Sequence, residues 1–198
     1  MLKRIICAVL LSVGLVAAGP VNLGFTPPAQ LVAVGGLASI QLVISGLGNH
    51  AAPSLGDYDV LVVFDPNILA SPSVTFGDPV LGDQLDLSGL GNLSGSQLIG
   101  PGSLRVFEIS LDAAADLDSM QPASFSLATL DFHAIGVGTS ELSIQINSLG
   151  DSIGNPLDGA SSTATVTAVP EPASLWLLGA ALCRVCGRRR AYTSRRRR

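Results

Sequence analysis

The chain has 198 residues, room for one ordinary domain plus short end segments, and 47% of it is hydrophobic while only 5% is aromatic. With 22 glycines and 12 prolines the apolar bulk is aliphatic and broken by turns, a composition that favours short strands over long helices. Charge is segregated: residues 20–168 hold one basic residue, Arg105, against fourteen of the fifteen acids, a net of −13 that excludes nucleic acid as a partner and opposes anionic lipid headgroups.

The chain opens Met1-Leu2-Lys3-Arg4, continues through a fourteen-residue apolar run at 5–18 and reaches Gly19-Pro20. A basic start, an apolar stretch and small residues at its end predict a secretory signal peptide, residues 1–18, cleaved after Ala18. The run is shorter than the roughly 20 residues that span a bilayer, so export through the Sec translocon and removal by signal peptidase fit it better than a retained anchor. Cys7 sits inside the run as one of its apolar residues, and the other cysteines, Cys183 and Cys186, lie at the far end, leaving the middle without a disulfide.

From residue 19 to 168 the pattern shortens to period two and to brief apolar runs between turn signals. Strands are predicted over 21–25, 30–34, 39–44, 59–64, 74–76, 104–111, 125–134, 139–146 and 163–168. Leu142, Ile144 and Ile146 alternate with Ser143 and Gln145, so one face is core and the other solvent. Leu127, Leu130 and Phe132 form a second inner face whose slip predicts a bulge. One helical turn is expected over 112–120, with Asp112 as its cap. Residues 82–103, rich in glycine, read as a long loop, with an edge hairpin over 85–93 as the alternative. The expected fold class is all-β: a single sandwich of about nine strands.

Material for chemistry in this middle segment is thin. His50 stands in a loop, and His133 alternates with Phe132 and so faces solvent; neither has a nucleophile-elbow sequence nearby, and no catalytic residue is assigned. Carboxylates are abundant, so a glycoside hydrolase using paired acids is the enzymatic alternative. Asp57 with Asp59, Asp83 with Asp86, and above all Asp151, Asn155 and Asp158 around Gly154 offer oxygen ligands of the kind calcium takes. Turn formation is the ordinary role of the same residue types, and no cofactor is assigned.

A strand over 37–46 ending in Ser45-Gly46-Leu47, the stretch Leu55-Gly56-Asp57-Tyr58-Asp59-Val60 leading into Val62-Val63-Phe64-Asp65-Pro66, and Leu130-Asp131-Phe132-His133-Ala134 before Gly136 and Gly138 together resemble cohesin-like domains. The resemblance implies a nine-stranded jelly-roll sandwich in the wider carbohydrate-binding-module neighbourhood. In cellulosomes such domains bind dockerin helices through one sheet face; no dockerin repeat is present in this sequence.

The end of the chain reads Val169-Pro170-Glu171-Pro172, then an apolar stretch from Ala173 to Cys183, then Arg184, Arg188, Arg189, Arg190 and four further arginines. Each proline fixes φ and disfavours helix in the residue before it, so 169–172 is extended and open to an enzyme. Guanidinium groups stay on the cytoplasmic side of a membrane segment, which places the motif at the outer face. Cys183 and Cys186 have metal or redox spacing but lack a second ligand pair. This order of elements resembles the PEP-CTERM sorting signal, which implies processing by an exosortase: motif 169–172, membrane segment 173–187, arginine tail 188–198. The expected protein is a non-enzymatic surface or matrix protein of a Gram-negative bacterium, held transiently at the inner membrane. Its sandwich serves adhesion or carbohydrate binding, or protein binding as a cohesin-type module, with exopolysaccharide or another surface protein as partner.

Overall fold

The computed structural model describes residues 20–171. The predicted signal peptide with Ala18, the cysteines, Pro172, the C-terminal apolar run and Arg184, Arg188, Arg189 and Arg190 lie outside the described residues. Eleven strands form two sheets: β1 (Val21–Thr26), β2 (Ala29–Ala33), β3 (Leu37–Ser45), β4 (Leu55–Val63), β5 (Ser73–Phe76), β6 (Asn92–Gly100), β7 (Ser103–Ser110), β8 (Ser124–His133), β9 (Gly138–Asp151), β10 (Gly159–Ser161) and β11 (Ala164–Val169), with one short helix, α1 (Ala114–Met120). One sheet runs β10-β1-β3-β8-β5 and the other β2-β11-β9-β4-β7-β6. The pairs β1–β10 and β2–β11 are parallel; the rest are antiparallel.

Alternation places the core between the sheets. Leu23, Ile40, Leu42, Ile44, Leu130 and Phe132 from one sheet meet Tyr58, Val60, Val62, Val106, Leu142 and Val166 from the other, all buried. Almost all are aliphatic; the Phe64 and Phe132 rings pack edge to face at 5.2 Å. The slip in β8 is a bulge, as its spacing predicts: Leu42 pairs with Ala128 and Val43 with Ser126, leaving Leu127 unpaired and buried.

Two expectations need correction, and the strand count rises from about nine to eleven among the described residues. Residues 92–100 are not loop but the edge strand β6, hydrogen-bonded along β7. None of its nine residues is buried, so it lacks the alternation by which a strand announces itself. The short β10 is likewise fully exposed and gives no signal for the same reason. Asp112 does not cap the helix: Ala113 occupies that position without a side-chain bond. Asp112 instead accepts the Leu87 N–H at 2.6 Å and the Ser88 N–H at 3.3 Å, tying the glycine-rich loop down. Among the described residues no helix is long and apolar enough to cross a membrane.

The topology gives the sandwich two unlike ends. Where β11 finishes, its Val169 carbonyl accepts the Val34 N–H at 2.8 Å, so the β2–β3 turn lies beside the chain's exit. The β8–β9 turn and the loop after β4 join it there: Gly35 N–H donates to Ala134 at 2.7 Å, and Ile135 N–H to Ile68 at 2.8 Å. The opposite end carries the β3–β4 loop and α1, linked by the His50 N–H donating to the Gln121 carbonyl at 2.9 Å.

Candidate functional site

On β4, β7 and β6 the residues between the core positions point outward. Asp59 is paired with Phe107, Leu61 with Arg105, Gly95 with Phe107 and Gln97 with Arg105, which makes one continuous outer face with the facing residues of β9. Its centre is the ion pair Asp59–Arg105, in which Arg105 Nη2 lies 2.6 Å and Nε 3.0 Å from the carboxylate, with Asn147 Nδ2 donating to the same carboxylate at 3.1 Å. The Arg105 hydrogen bond, aided by Asn147 and the guanidinium charge, outweighs desolvation and holds the Asp59 carboxyl below its ordinary range. Arg105 also stacks over the Phe107 ring, 5.1 Å from its centroid.

That ring depends on a glycine. A Cβ at Gly95 would meet two Phe107 ring carbons at 2.8 Å, so the aromatic covers the bare backbone of its cross-strand partner. Gly95→Val should therefore lift the ring and cost about 1–3 kcal/mol of stability, read as a lower urea midpoint. Around this centre stand aliphatic side chains, with Leu61 and Val63 half-buried and Leu93 and Ile109 57% and 43% exposed, alongside the polar Gln97, Ser143 and Gln145.

Beneath the edge of this face lies a buried carboxyl network. Glu108 points into the sandwich, where the Tyr58 hydroxyl donates to its Oε2 at 3.0 Å and Asn92 Nδ2 donates to its Oε1. Asn92 Nδ2 also reaches Asp83 Oδ2 at 2.6 Å. Burial, then the neighbouring Asp83 carboxylate, push the Glu108 carboxyl up to about 8, so at neutral pH it carries a proton. Burial and the nearby Glu108 raise the Tyr58 hydroxyl in turn. The structure thus brings two acids together, yet Glu108 has no exposed surface, so no sugar reaches this pair as a glycosidase requires.

The other sequence candidates fall elsewhere. Asp151 Oδ1 accepts the backbone N–H groups of Ile153 at 3.0 Å and Asn155 at 2.8 Å, and its Oδ2 accepts Asn155 Nδ2 at 3.0 Å. Burial opposes the Asp151 charge, but these bonds outweigh it and lower the carboxyl, as in a turn closed by its own aspartate. Asp158 accepts the Val21 N–H through its backbone carbonyl at 3.0 Å. Among the described residues no group of three or more histidine, cysteine, aspartate or glutamate side chains is placed to hold a metal ion. His50 and His133 are exposed, one in a loop and one at the end of β8. Val169 closes β11, and Pro170 and Glu171 follow it exposed, with the Glu171 carboxylate 4.0 Å from where a Cβ on Gly35 would stand.

Comparison with known proteins bears on both the module and its end. Residues 168–190 match the family model of the PEP-CTERM protein-sorting motif. Among solved structures the described fold resembles the sixth cohesin of Acetivibrio cellulolyticus scaffoldin B, solved in complex with a Cel5 dockerin, at 18% identity and a TM-score of 0.59 over 76% of this chain and 100% of that one. A non-cellulosomal cohesin from the archaeon Archaeoglobus fulgidus is 16% identical with a TM-score of 0.56, covering 79% of this chain and 96% of that chain. The cohesin module of a Clostridium perfringens family 33 glycoside hydrolase is 16% identical with a TM-score of 0.57, covering 78% and 98%. No curated protein sequence matches the chain. The chain therefore carries a PEP-CTERM sorting motif behind a two-sheet sandwich of cohesin-like fold.

Proposed function

We propose that this protein is an exported, non-enzymatic display module: its sandwich binds a protein partner through the outer face of β9, β4, β7 and β6, and an exosortase removes or exchanges its C-terminal segment. The observation that carries the reading is the junction. The last strand of the sandwich ends at Val169, and the match to the sorting motif starts at residue 168, so a folded binding module and a delivery signal abut with no linker between them. Delivery is to the surface or matrix of a Gram-negative cell, by way of an inner-membrane intermediate.

A protein partner fits the face better than a glycan. Among the described residues Phe107 is the face's one aromatic platform, whereas Leu61, Val63, Leu93 and Ile109 surround a single bidentate charge pair. An arginine fixed in an ion pair and stacked on an aromatic ring, with exposed aliphatic side chains around it, is the composition of a protein-binding patch. The Acetivibrio module was solved in complex with a dockerin, which supports a polypeptide as the class of partner.

The test is capture on the immobilised exported protein. Surface proteins retained by the wild type should be lost from Phe107→Asp and from Leu61→Lys, while binding of purified matrix polysaccharide should be negligible for all three. Equal retention by the variants, or polysaccharide binding that the variants abolish, would replace the protein-binding reading.

A further inference from the structure

The end of the sandwich from which the chain departs is apolar at its tips. Ile135 and Val137 in the β8–β9 turn are 55% and 63% exposed, and Leu37 at the start of β3 is 50% exposed. The turn holds them firmly, because the N–H groups of Ile135 and Gly136 both donate to the Ile68 carbonyl, at 2.8 and 3.2 Å. A scattered exposed aliphatic residue needs no explanation. These stand together beside Val169 and the β2–β3 turn, where the sorting motif leaves the domain.

The tether fixes what lies opposite them. From Val169 to Ala173, where the apolar stretch begins, the chain has four residues, which reach about 14 Å when fully extended. We infer that while the chain is anchored, this end of the sandwich rests on the lipid bilayer, with Ile135, Val137 and Leu37 dipping into the interfacial layer. The inference rests on the sorting reading above, since it needs the segment after Pro172 to be in the membrane.

Charge favours the same orientation. Asp112, Asp116, Asp118, Asp151 and Asp158 all belong to the opposite end, around α1, the end of β9 and the start of β1. Near the exit, the Asp65 carboxylate is held within its own turn by the Asn67 N–H at 2.9 Å. Asp131 near the end of β8, Glu141 near the start of β9 and Glu171 also stand toward the exit, but the greater part of the domain's negative charge lies far from the headgroups, and repulsion turns that more acidic end outward. Docked this way, the sheets stand on end, Glu171 is held at the lipid surface, and the outer face of β4 and β7 is turned sideways, clear of the membrane.

The experiment uses the mature chain from Gly19 to Arg198, with Cys183 and Cys186 replaced by serine, reconstituted in vesicles of phosphatidylethanolamine with a minority of phosphatidylglycerol. A fluorophore is attached through Val137→Cys at the exit end or through Ala51→Cys in the β3–β4 loop, and lipid-borne quenchers report proximity. Quenching should be several-fold stronger at position 137 than at 51. With the probe moved to Pro101→Cys in the β6–β7 turn, the pair Ile135→Asp and Val137→Asp should bring its quenching down to the level seen at 51. Protein that floats with the vesicles but shows equal, weak quenching at 137 and 51 overturns the docked orientation alone. Protein that stays in solution overturns the sorting reading itself.

Discussion

Gln121→Leu is expected to destabilise the domain by about 3–5 kcal/mol, the sum of unsatisfied buried backbone groups at about 1–3 kcal/mol each. The side chain is completely buried just past the end of α1. Its Oε1 accepts the Leu55 N–H at 2.7 Å, and its Nε2 donates to the Leu55 carbonyl and to the Gln84 carbonyl, both at 2.8 Å. One amide therefore pairs with three backbone groups, two at the start of β4 and one in the glycine-rich loop. Leucine fills nearly the same volume, so the loss reports hydrogen bonding rather than a cavity. The measurement is a urea midpoint at constant m-value, with unchanged far-UV dichroism below the transition.

The second large effect is a pH dependence set by Glu108. Its folded-state carboxyl sits at about 8, against 4.5 for an unperturbed one, so the folded chain holds this proton more tightly than the unfolded chain. The stabilisation is fully present below pH 4.5 and is lost as the pH rises through 8. Across that window the loss is on the order of 3–4 kcal/mol. The groups that face Glu108 are Tyr58 from β4, Asp83 from the loop and Asn92 from β6, so the weakening falls on the contact of that loop with the sheet edge. Glu108→Gln reproduces the protonated shape. It should flatten the stability profile between pH 5 and pH 9 and be more stable than the wild type at the alkaline end. Equal slopes for the two proteins would remove Glu108 as the titrating group.

How far the fold is legible in the sequence depends on whether a residue's environment is local. Leu142, Ile144 and Ile146 announce a strand because one face is covered, and Leu127 announces a bulge because it breaks that rhythm. Strand β6 announces nothing, since its identity comes from pairing with β7 and not from burial. Gln121 and Glu108 do not stand out for a related reason: the Leu55 partner of Gln121 is 66 residues distant, and Tyr58 is 50 residues from Glu108. Asp112 has the right residue type for a helix cap, but a nearby loop offers its N–H groups instead. The sorting motif lies at the other extreme. A signal read along an extended chain is linear, so Val169, Pro170, Glu171 and Pro172 declare themselves by their order alone. The outer face of β4 and β7 is half visible in the sequence. Asp59 and Arg105 can be named there, but not joined.

Intact-mass measurement of the exported protein, from cells with and without the sorting enzyme, bears most directly on the whole account. With the enzyme present, the mature chain should start at Gly19 and have lost the mass of the arginine tail, and Glu171→Ala should abolish that loss while leaving the sandwich folded. A chain still ending at Arg198 in both cells would contradict it.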